Sequence, residues 1–85
     1  MKYFCNVYPR EGRDLKYVHE LVNGKIVTIE NCEVGKRAYI RNIKGGAVHT
    51  STVIEVDYLC EGDIRITTQN SIYELTSMDG DDDAS

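Results

Sequence analysis

Four aspartates crowd the end of the chain, where their carboxylates could bind a metal ion or imitate the phosphates of a nucleic acid. They are Asp79, Asp81, Asp82 and Asp83. A calcium loop of the EF-hand type spreads its oxygen ligands over about twelve residues and ends in a glutamate, but no glutamate follows Asp79. Clustered carboxylates can instead complement a basic surface on a partner. We expect no metal here, and we interpret residues 77–85 as a solvated acidic tail that can assist partner binding.

Cysteine and histidine side chains form a second set of reactive groups, but their spacing matches no zinc signature. The set comprises Cys5, His19, Cys32, His49 and Cys60. Zinc ligands usually occur as close pairs along the chain, and no such pair is present. An odd number of distant cysteines is also a poor disulfide framework and fits a reducing compartment. The sequence therefore predicts small, mostly buried thiols, with no metal and no cofactor.

The run His49-Thr50-Ser51-Thr52 offers hydroxyl nucleophiles next to a base. Neighbouring residues of a strand point to opposite faces, so His49 cannot activate Thr50 if this run is a strand. Gly45-Gly46 lacks the lysine and hydroxyl residue of a phosphate-binding loop. We therefore predict no catalytic residues and no enzymatic activity.

Basic and aromatic residues are concentrated in one nine-residue stretch. They are Lys36, Arg37, Tyr39, Arg41 and Lys44. Tyrosine and arginine are favoured at the centres of protein interfaces, and the same mixture can stack bases and contact phosphates. Arg37, Tyr39 and Arg41, helped by the acidic tail, are the predicted protein-binding residues. All five residues form the alternative, a nucleic-acid surface.

The charge balance favours a protein partner over a nucleic acid. The chain has 14 acidic and 10 basic residues, and its excess of negative charge lies entirely in the four tail aspartates. Nucleic-acid-binding domains usually carry a clear basic excess. The chain also has six tyrosines, one phenylalanine and no tryptophan. Because each buried tyrosine hydroxyl needs a partner, several tyrosines are expected at the surface.

Short β-branched segments separated by glycine and asparagine turns must position these residues. The strand candidates are 3–8, 25–30, 37–43, 48–58, 64–68 and 72–75. This pattern predicts a single mainly-β domain over residues 1–76, SH3-like or a small open antiparallel barrel of about five strands. The length of 85 residues leaves no room for a second domain, and neither a membrane span nor a signal peptide is visible.

Residues 15–22 fit two structures. Leu15, Val18, Leu21 and Val22 would form one stripe of a short N-terminal helix begun by Asp14. Alternatively, Asn23-Gly24 would close a hairpin that pairs Val18 with Ile29. We favour the hairpin.

The register of the central hairpin, formed by the strand candidates 37–43 and 48–58, determines which charged side chains lie next to each other. A bulged loop at Gly45-Gly46 would pair Ala38 with Ile54 and Lys36 with Val56. One face would then carry an apolar set, namely Ala38, Ile40, Ile54, Val56 and Tyr58. The other face would place Glu55 and Asp57 beside Arg37, Tyr39 and Arg41. This register predicts charge pairs that neutralise the arginines.

Two short motifs stand in the second half of the chain, "HTS-x-V" at 49–53 and "T-x-NS-x-Y" at 68–73. With these motifs, residues 34–75 resemble small β-barrel proteins of unknown function that are encoded by phages and mobile elements of gut-type bacteria. It implies the cytoplasm of a bacterial host and a partner that is a host or defence protein, as for anti-CRISPR inhibitors. It identifies no functional residue.

The expected function is therefore that of a non-catalytic protein-binding module, an inhibitor of a bacterial defence protein. A nucleic-acid-binding barrel and a structural or oligomerising phage component are the alternatives. No membrane partner is expected.

Overall fold

A computed structural model describes residues 2–10, 12 and 17–78, without the side chains of residues 17 and 18, and shows a closed antiparallel β-barrel. The strands are β1 (Tyr3–Pro9), β2 (Lys25–Glu30), β3 (Arg37–Asn42), β4 (Ala47–Tyr58), β5 (Ile64–Thr68) and β6 (Ser71–Ser77). Each strand pairs with the next, and β6 pairs with β1. The predicted mainly-β barrel is confirmed, with six strands in place of about five and a closed rather than an open sheet.

Alternation along the strands fills the inside of the barrel. In β1, Tyr3, Cys5 and Val7 are buried, while Phe4 and Tyr8 face outward. The other strands and the turn at Val22 add aliphatic residues to the same cluster. This is the period of two that a strand with one buried face requires. Among the described residues no helix has the length and apolar character to cross a membrane.

The segment before β2 is a short 3₁₀ helix, Tyr17–Leu21, so the predicted hairpin at Asn23-Gly24 is wrong. β2 pairs instead with β1, with Val27 opposite Tyr3. The asparagine and glycine fasten the end of the 3₁₀ turn to β1. Val7 N–H donates to Asn23 Oδ1 (3.0 Å), and Gly24 N–H donates to the Cys5 carbonyl (2.7 Å). The helical alternative is correct only for residues 17–21, as a 3₁₀ turn: Leu21 is exposed, and the buried Val22 follows the turn. Asp14 and Leu15 lie outside the described part.

The predicted register of the central hairpin is also wrong. β3 and β4 are joined by residues 43–46, and Tyr39 lies opposite His49. The turn begins at Asn42, whose Oδ1 accepts from Lys44 N–H (2.8 Å) and whose carbonyl accepts from Gly45 N–H (3.0 Å). Asparagine side chains commonly stabilise turns in this way. The result is a four-residue connection instead of one built on the two glycines alone.

Two bulges in β4 change which of its side chains point inward. One lies opposite the step from Arg37 to Tyr39, and the other lies between Val53 and Glu55. At the first bulge the buried Thr50 hydroxyl accepts from Ala38 N–H (2.9 Å). At the second, Val53 is buried and Ile54 is 47% exposed. Because each extra residue reverses the alternation, the predicted apolar face containing Ile54 and Tyr58 is not formed.

Candidate functional site

The outward side of β3 carries Arg37, Tyr39 and Arg41. Ala38 and Ile40, between them, are fully buried, so strict alternation leaves the three larger side chains on the outer surface. They share this surface with Glu30 of β2 and His49 of β4, both of which pair directly with Tyr39. We call these five residues the aromatic–cationic face.

Tyr39 is the centre of the aromatic–cationic face. Its ring packs against the His49 ring with centroids 4.6 Å apart. The Arg41 guanidinium also lies over the tyrosine ring, 5.3 Å from the centroid. Such cation–π contacts contribute about 0.5–1 kcal/mol at exposed sites. Tyr39 therefore contacts both Arg41 and His49, at a tilted angle of 57° to the His49 ring, before any partner binds.

Arg37 is held by the first bulge of β4. Its Nε donates to the Thr50 carbonyl at 2.7 Å, and its Nη2 lies 3.5 Å from the His49 carbonyl. The bulge leaves Thr50 without a pairing partner in β3, and the guanidinium reaches its carbonyl. Because the arginine is already ordered, a partner that contacts it spends less entropy on fixing the side chain.

Glu55 and Asp57 do not lie beside the β3 arginines, contrary to the prediction. They face β5, with Glu55 opposite Thr67 and Asp57 opposite Arg65. Arg65 in turn binds Glu74 of β6, Nε to Oε2 at 3.0 Å. The carboxylates of Glu55 and Asp57 therefore do not neutralise the arginines of β3.

Nearby acids accompany two of the basic residues. Arg41 Nη2 lies 3.8 Å from Glu30 Oε2, and Lys36 Nζ lies 3.2 Å from Glu33 Oε2. All four side chains are more than half exposed, so these pairs contribute little to stability and can exchange partners. Lys44 lies in the β3–β4 turn, at the opposite end of β3 from Lys36.

A shallow groove of about 480 Å³ borders the aromatic–cationic face. Tyr39 and Arg41 line it on the strand side, and the turn contributes Ile43, Gly45 and Gly46. Ile43 is an exposed apolar residue, so the groove combines a positive charge, an aromatic ring and an aliphatic side chain. Its volume lies at the lower end of the range for ligand sites, which suits one or two side chains of a partner.

Sequence reasoning missed Glu30, His49 and Ile43 as members of this site. No local signal marks Glu30, which is the last residue of an ordinary strand. The sequence presents His49 only as a candidate base or metal ligand, whereas the structure makes it the packing partner of Tyr39. Only the register of three strands brings these residues together.

The thiols are more varied than predicted. Cys5 is buried, and desolvation raises its pKa to about 12. Burial also raises the pKa of the partly buried Cys32. Cys60 is exposed, so the expectation of mostly buried thiols fails there. None of the three is in a disulfide.

The histidines do not meet a set of metal ligands in the part of the chain described. Within residues 2–10, 12 and 17–78, no three His, Cys, Asp or Glu side chains approach closely enough to hold a metal ion. His19 Nε2 lies 3.3 Å from the Ser71 hydroxyl, but both residues are buried beneath the surface. The aspartates of the predicted acidic tail, Asp79 to Asp83, lie outside the described residues.

No protein-family model, curated protein or solved structure matches this chain. The resemblance of residues 34–75 to phage-encoded barrels therefore stays a prediction.

Proposed function

We propose that this protein is a non-catalytic protein-binding module that contacts its partner through the aromatic–cationic face. The observation that carries the proposal is the cluster in which Tyr39 contacts both Arg41 and His49, with Arg37 hydrogen-bonded to the backbone beside it. Tyrosine and arginine dominate interface hot spots, and rigid anchors bind at a lower entropic cost. The adjoining groove provides a place for the partner's own side chains.

The proposed partner presents a carboxylate near an apolar side chain. Glu30 contacts Arg41 at 3.8 Å in an exposed pair, which a partner's aspartate or glutamate can replace at little cost. The apolar side chain would enter the groove against Ile43. Once water is excluded, the new charge pair becomes stronger than the one it replaces.

Following the resemblance, we propose a bacterial host or defence protein as the partner, in the bacterial cytoplasm, with inhibition as the consequence of binding. Occupying a functional surface on that partner would suffice, because no chemistry is required of the small barrel. Light scattering tests the alternative of an oligomerising component by measuring the mass of the protein in solution. That alternative predicts a discrete oligomer or open-ended self-assembly.

The double substitution Tyr39→Ala/Arg41→Ala is expected to weaken partner binding by at least about 30-fold, because the loss of a single hot-spot side chain, worth roughly 2 kcal/mol or more, already gives that factor. The partner is first captured from bacterial lysate on immobilised wild-type protein and then purified. Its affinity for both proteins is measured by calorimetry. The far-UV circular dichroism spectrum should not change, since both side chains lie on the outer surface.

The matched control is Tyr8→Ala/Arg65→Ala, which removes the same residue types from the β1 and β5 side of the barrel. Tyr8 is exposed, and Arg65 forms a surface ion pair. This control should bind the partner as the wild type does. Equal affinity of the wild type and the Tyr39/Arg41 variant would exclude the aromatic–cationic face as the contact.

Nucleic-acid binding is the second candidate, and one observation favours it. Glu55 and Asp57 pair with β5 and not with β3. These two carboxylates therefore do not neutralise Arg37 and Arg41, in contrast to the prediction from the sequence. Phosphates could then contact Arg37 and Lys44 while a base stacks on Tyr39. Against it stand the ion pairs of Lys36 and Arg41 and the overall charge of −4.

Binding of labelled oligo(dT) across salt concentrations separates the two candidates. If the face binds nucleic acid, log K should fall with log[salt] with a slope of about −0.7 per phosphate contacted. The change Lys44→Ala should then reduce the slope by about 0.7. No detectable complex at low salt would discard this candidate and leave the protein-binding proposal intact.

A further inference from the structure

The second half of β4 has an unpaired edge. β5 pairs with residues 55–58 on one side, whereas the pairing with β3 ends at Arg37 and Thr52. Beyond that pair, Val53 N–H donates to the Lys36 carbonyl (2.8 Å), and Gly35 N–H donates to the Val53 carbonyl (2.9 Å). No other described strand lies along residues 54–58 on that side. We call residues 54–58 the open edge.

The open edge presents two backbone donors and two acceptors. Leu59 N–H donates to the Asp63 carbonyl (2.8 Å), which fixes the phase of the ladder with β5. Because hydrogen-bonded pairs alternate in an antiparallel ladder, Asp57 and Glu55 direct their backbone groups to β5. Val56 and Tyr58 direct theirs away from it. No backbone hydrogen bond joins those two to any other described residue on the open side.

Exposed apolar side chains surround the open edge. Tyr58 is 75% exposed, Ile54 is 47% exposed and Leu59 is 42% exposed. Val34, 62% exposed, precedes Gly35, whose N–H donates to the Val53 carbonyl. Exposed apolar side chains along an unpaired strand are a feature that monomeric proteins usually cover or interrupt with charge.

The charges on the open edge disfavour a second copy of the chain as its occupant. Glu55 and Asp57 project from the outer side of β4, and neither forms an ion pair with another described residue. In a twofold antiparallel pairing of two open edges, these carboxylates would face each other. Like charges directly opposite on paired strands are destabilising.

We propose that the open edge binds an extended segment of a partner protein in which lysine or arginine alternates with apolar residues. The segment adds a strand to β4 through the backbone groups of Val56 and Tyr58. Its basic side chains lie on the outer side against Glu55 and Asp57, and its apolar side chains lie on the side of Val56 and Tyr58. This surface is separate from the aromatic–cationic face, so the inference goes beyond the proposed function and does not depend on it.

The probe is a fluorescein-labelled nine-residue peptide in which lysine alternates with valine. Fluorescence anisotropy at low and at physiological salt should show saturable binding that weakens as salt is added. In two-dimensional NMR, amide exchange of Val56 and Tyr58 should slow at least about tenfold on saturation, because both N–H groups become hydrogen-bonded. A peptide with glutamate in place of lysine should not bind.

Two N-methylated peptides test the predicted backbone pairing. Residues opposite Val56 and Tyr58 exchange hydrogen bonds with them and have side chains on the same side of the sheet, so they are the valines of the probe. Methylating the valine amides should weaken binding at least about tenfold, since each removes a hydrogen bond and adds a clash. Methylating the lysine amides, which point away from β4, should be tolerated.

Two protein variants give the complementary test. Tyr58→Ala removes the exposed ring but keeps the N–H group, whereas Tyr58→Pro removes the N–H group as well. Proline is accepted at a strand edge whose N–H group faces solvent. We expect Tyr58→Pro to bind the peptide more weakly than Tyr58→Ala, because only the proline variant also lacks the N–H group that pairs with the peptide.

Three results would overturn the proposal: equal losses for both methylated peptides, resonance shifts confined to the aromatic–cationic face, or a dimer that protects Val56 and Tyr58 without peptide. If Tyr58→Pro does not fold, the methylated peptides decide alone.

Discussion

Replacing Ile40 with alanine is expected to remove about 2–5 kcal/mol of folding free energy, the usual cost of truncating a fully buried aliphatic residue. Ile40 is inaccessible to solvent and pairs with Ile29 on one side and Val48 on the other. A domain of 85 residues is stable by only about 4–13 kcal/mol. The melting temperature should therefore fall by at least about 10 °C in a calorimetric scan.

Ile54→Ala is the matched control, because it removes the same atoms from the residue at the second bulge of β4. Ile54 is exposed, so its truncation should cost less than about 1 kcal/mol. The register expected from the sequence places Ile40 and Ile54 on one buried face and would give equal losses. Similar urea midpoints for the two variants would therefore contradict the observed register.

The strands themselves were predictable because their signals are local. Runs of β-branched residues between turn residues predict β2 and β5 with their observed bounds, and β1, β3, β4 and β6 to within two residues at either end. The same alternation identifies Arg37, Tyr39 and Arg41 as neighbours on one surface. That inference needs only the period of two within β3, which has no bulge of its own.

The pairing of strands was not predictable because it depends on single extra residues. Both bulges lie in β4, and neither is marked by glycine. The first is stabilised by a threonine hydroxyl that accepts from the backbone of β3, a contact that exists only after the strands have paired. Asn23-Gly24 likewise has the composition of a hairpin turn but ends a 3₁₀ helix, since Asn23 binds β1 instead.

The error in register had a functional consequence. It placed Glu55 and Asp57 against the arginines and so predicted one neutralised surface. The structure has two surfaces of opposite character, the aromatic–cationic face around Tyr39 and the acidic open edge around Val56. His49 of the first surface lies in the first half of β4, the open edge is the second half, and the bulges between the two halves redirect the side chains of the strand. A small barrel can in this way present two surfaces of different character.

Raising the pH above 9 is expected to destabilise the protein steeply, so that much of its folding free energy is lost by about pH 12. Burial raises the pKa of Cys5 from 9.0 to about 12 and that of Tyr73 from 10.0 to about 12. Below pH 9 both groups are protonated in the folded and the unfolded chain, so neither affects stability. Above it the unfolded chain loses these protons first, and the free energy of unfolding falls with pH.

The loss of folding free energy at high pH can be calculated from the raised pKa values of Cys5 and Tyr73. Each pKa unit corresponds to about 1.4 kcal/mol, so by pH 12 Cys5 removes roughly 4 kcal/mol and Tyr73 roughly 3 kcal/mol. Together these approach the whole stability of a domain of this size. Urea unfolding at pH 8, 10 and 11, followed by circular dichroism, should show a loss that begins near pH 9 and becomes steeper above pH 10.

The variants Cys5→Ala and Tyr73→Phe show how much each side chain contributes to the fall in the free energy of unfolding with pH. Each lowers stability at pH 8 by removing buried contacts, and Tyr73→Phe also removes the hydroxyl that bonds to Ser71. Each should nevertheless flatten the decline above pH 10, because one ionisable group is gone, and the double variant should be flatter than either. Slopes equal to that of the wild type would mean that the thiol and the phenol are not shielded from water as the barrel requires.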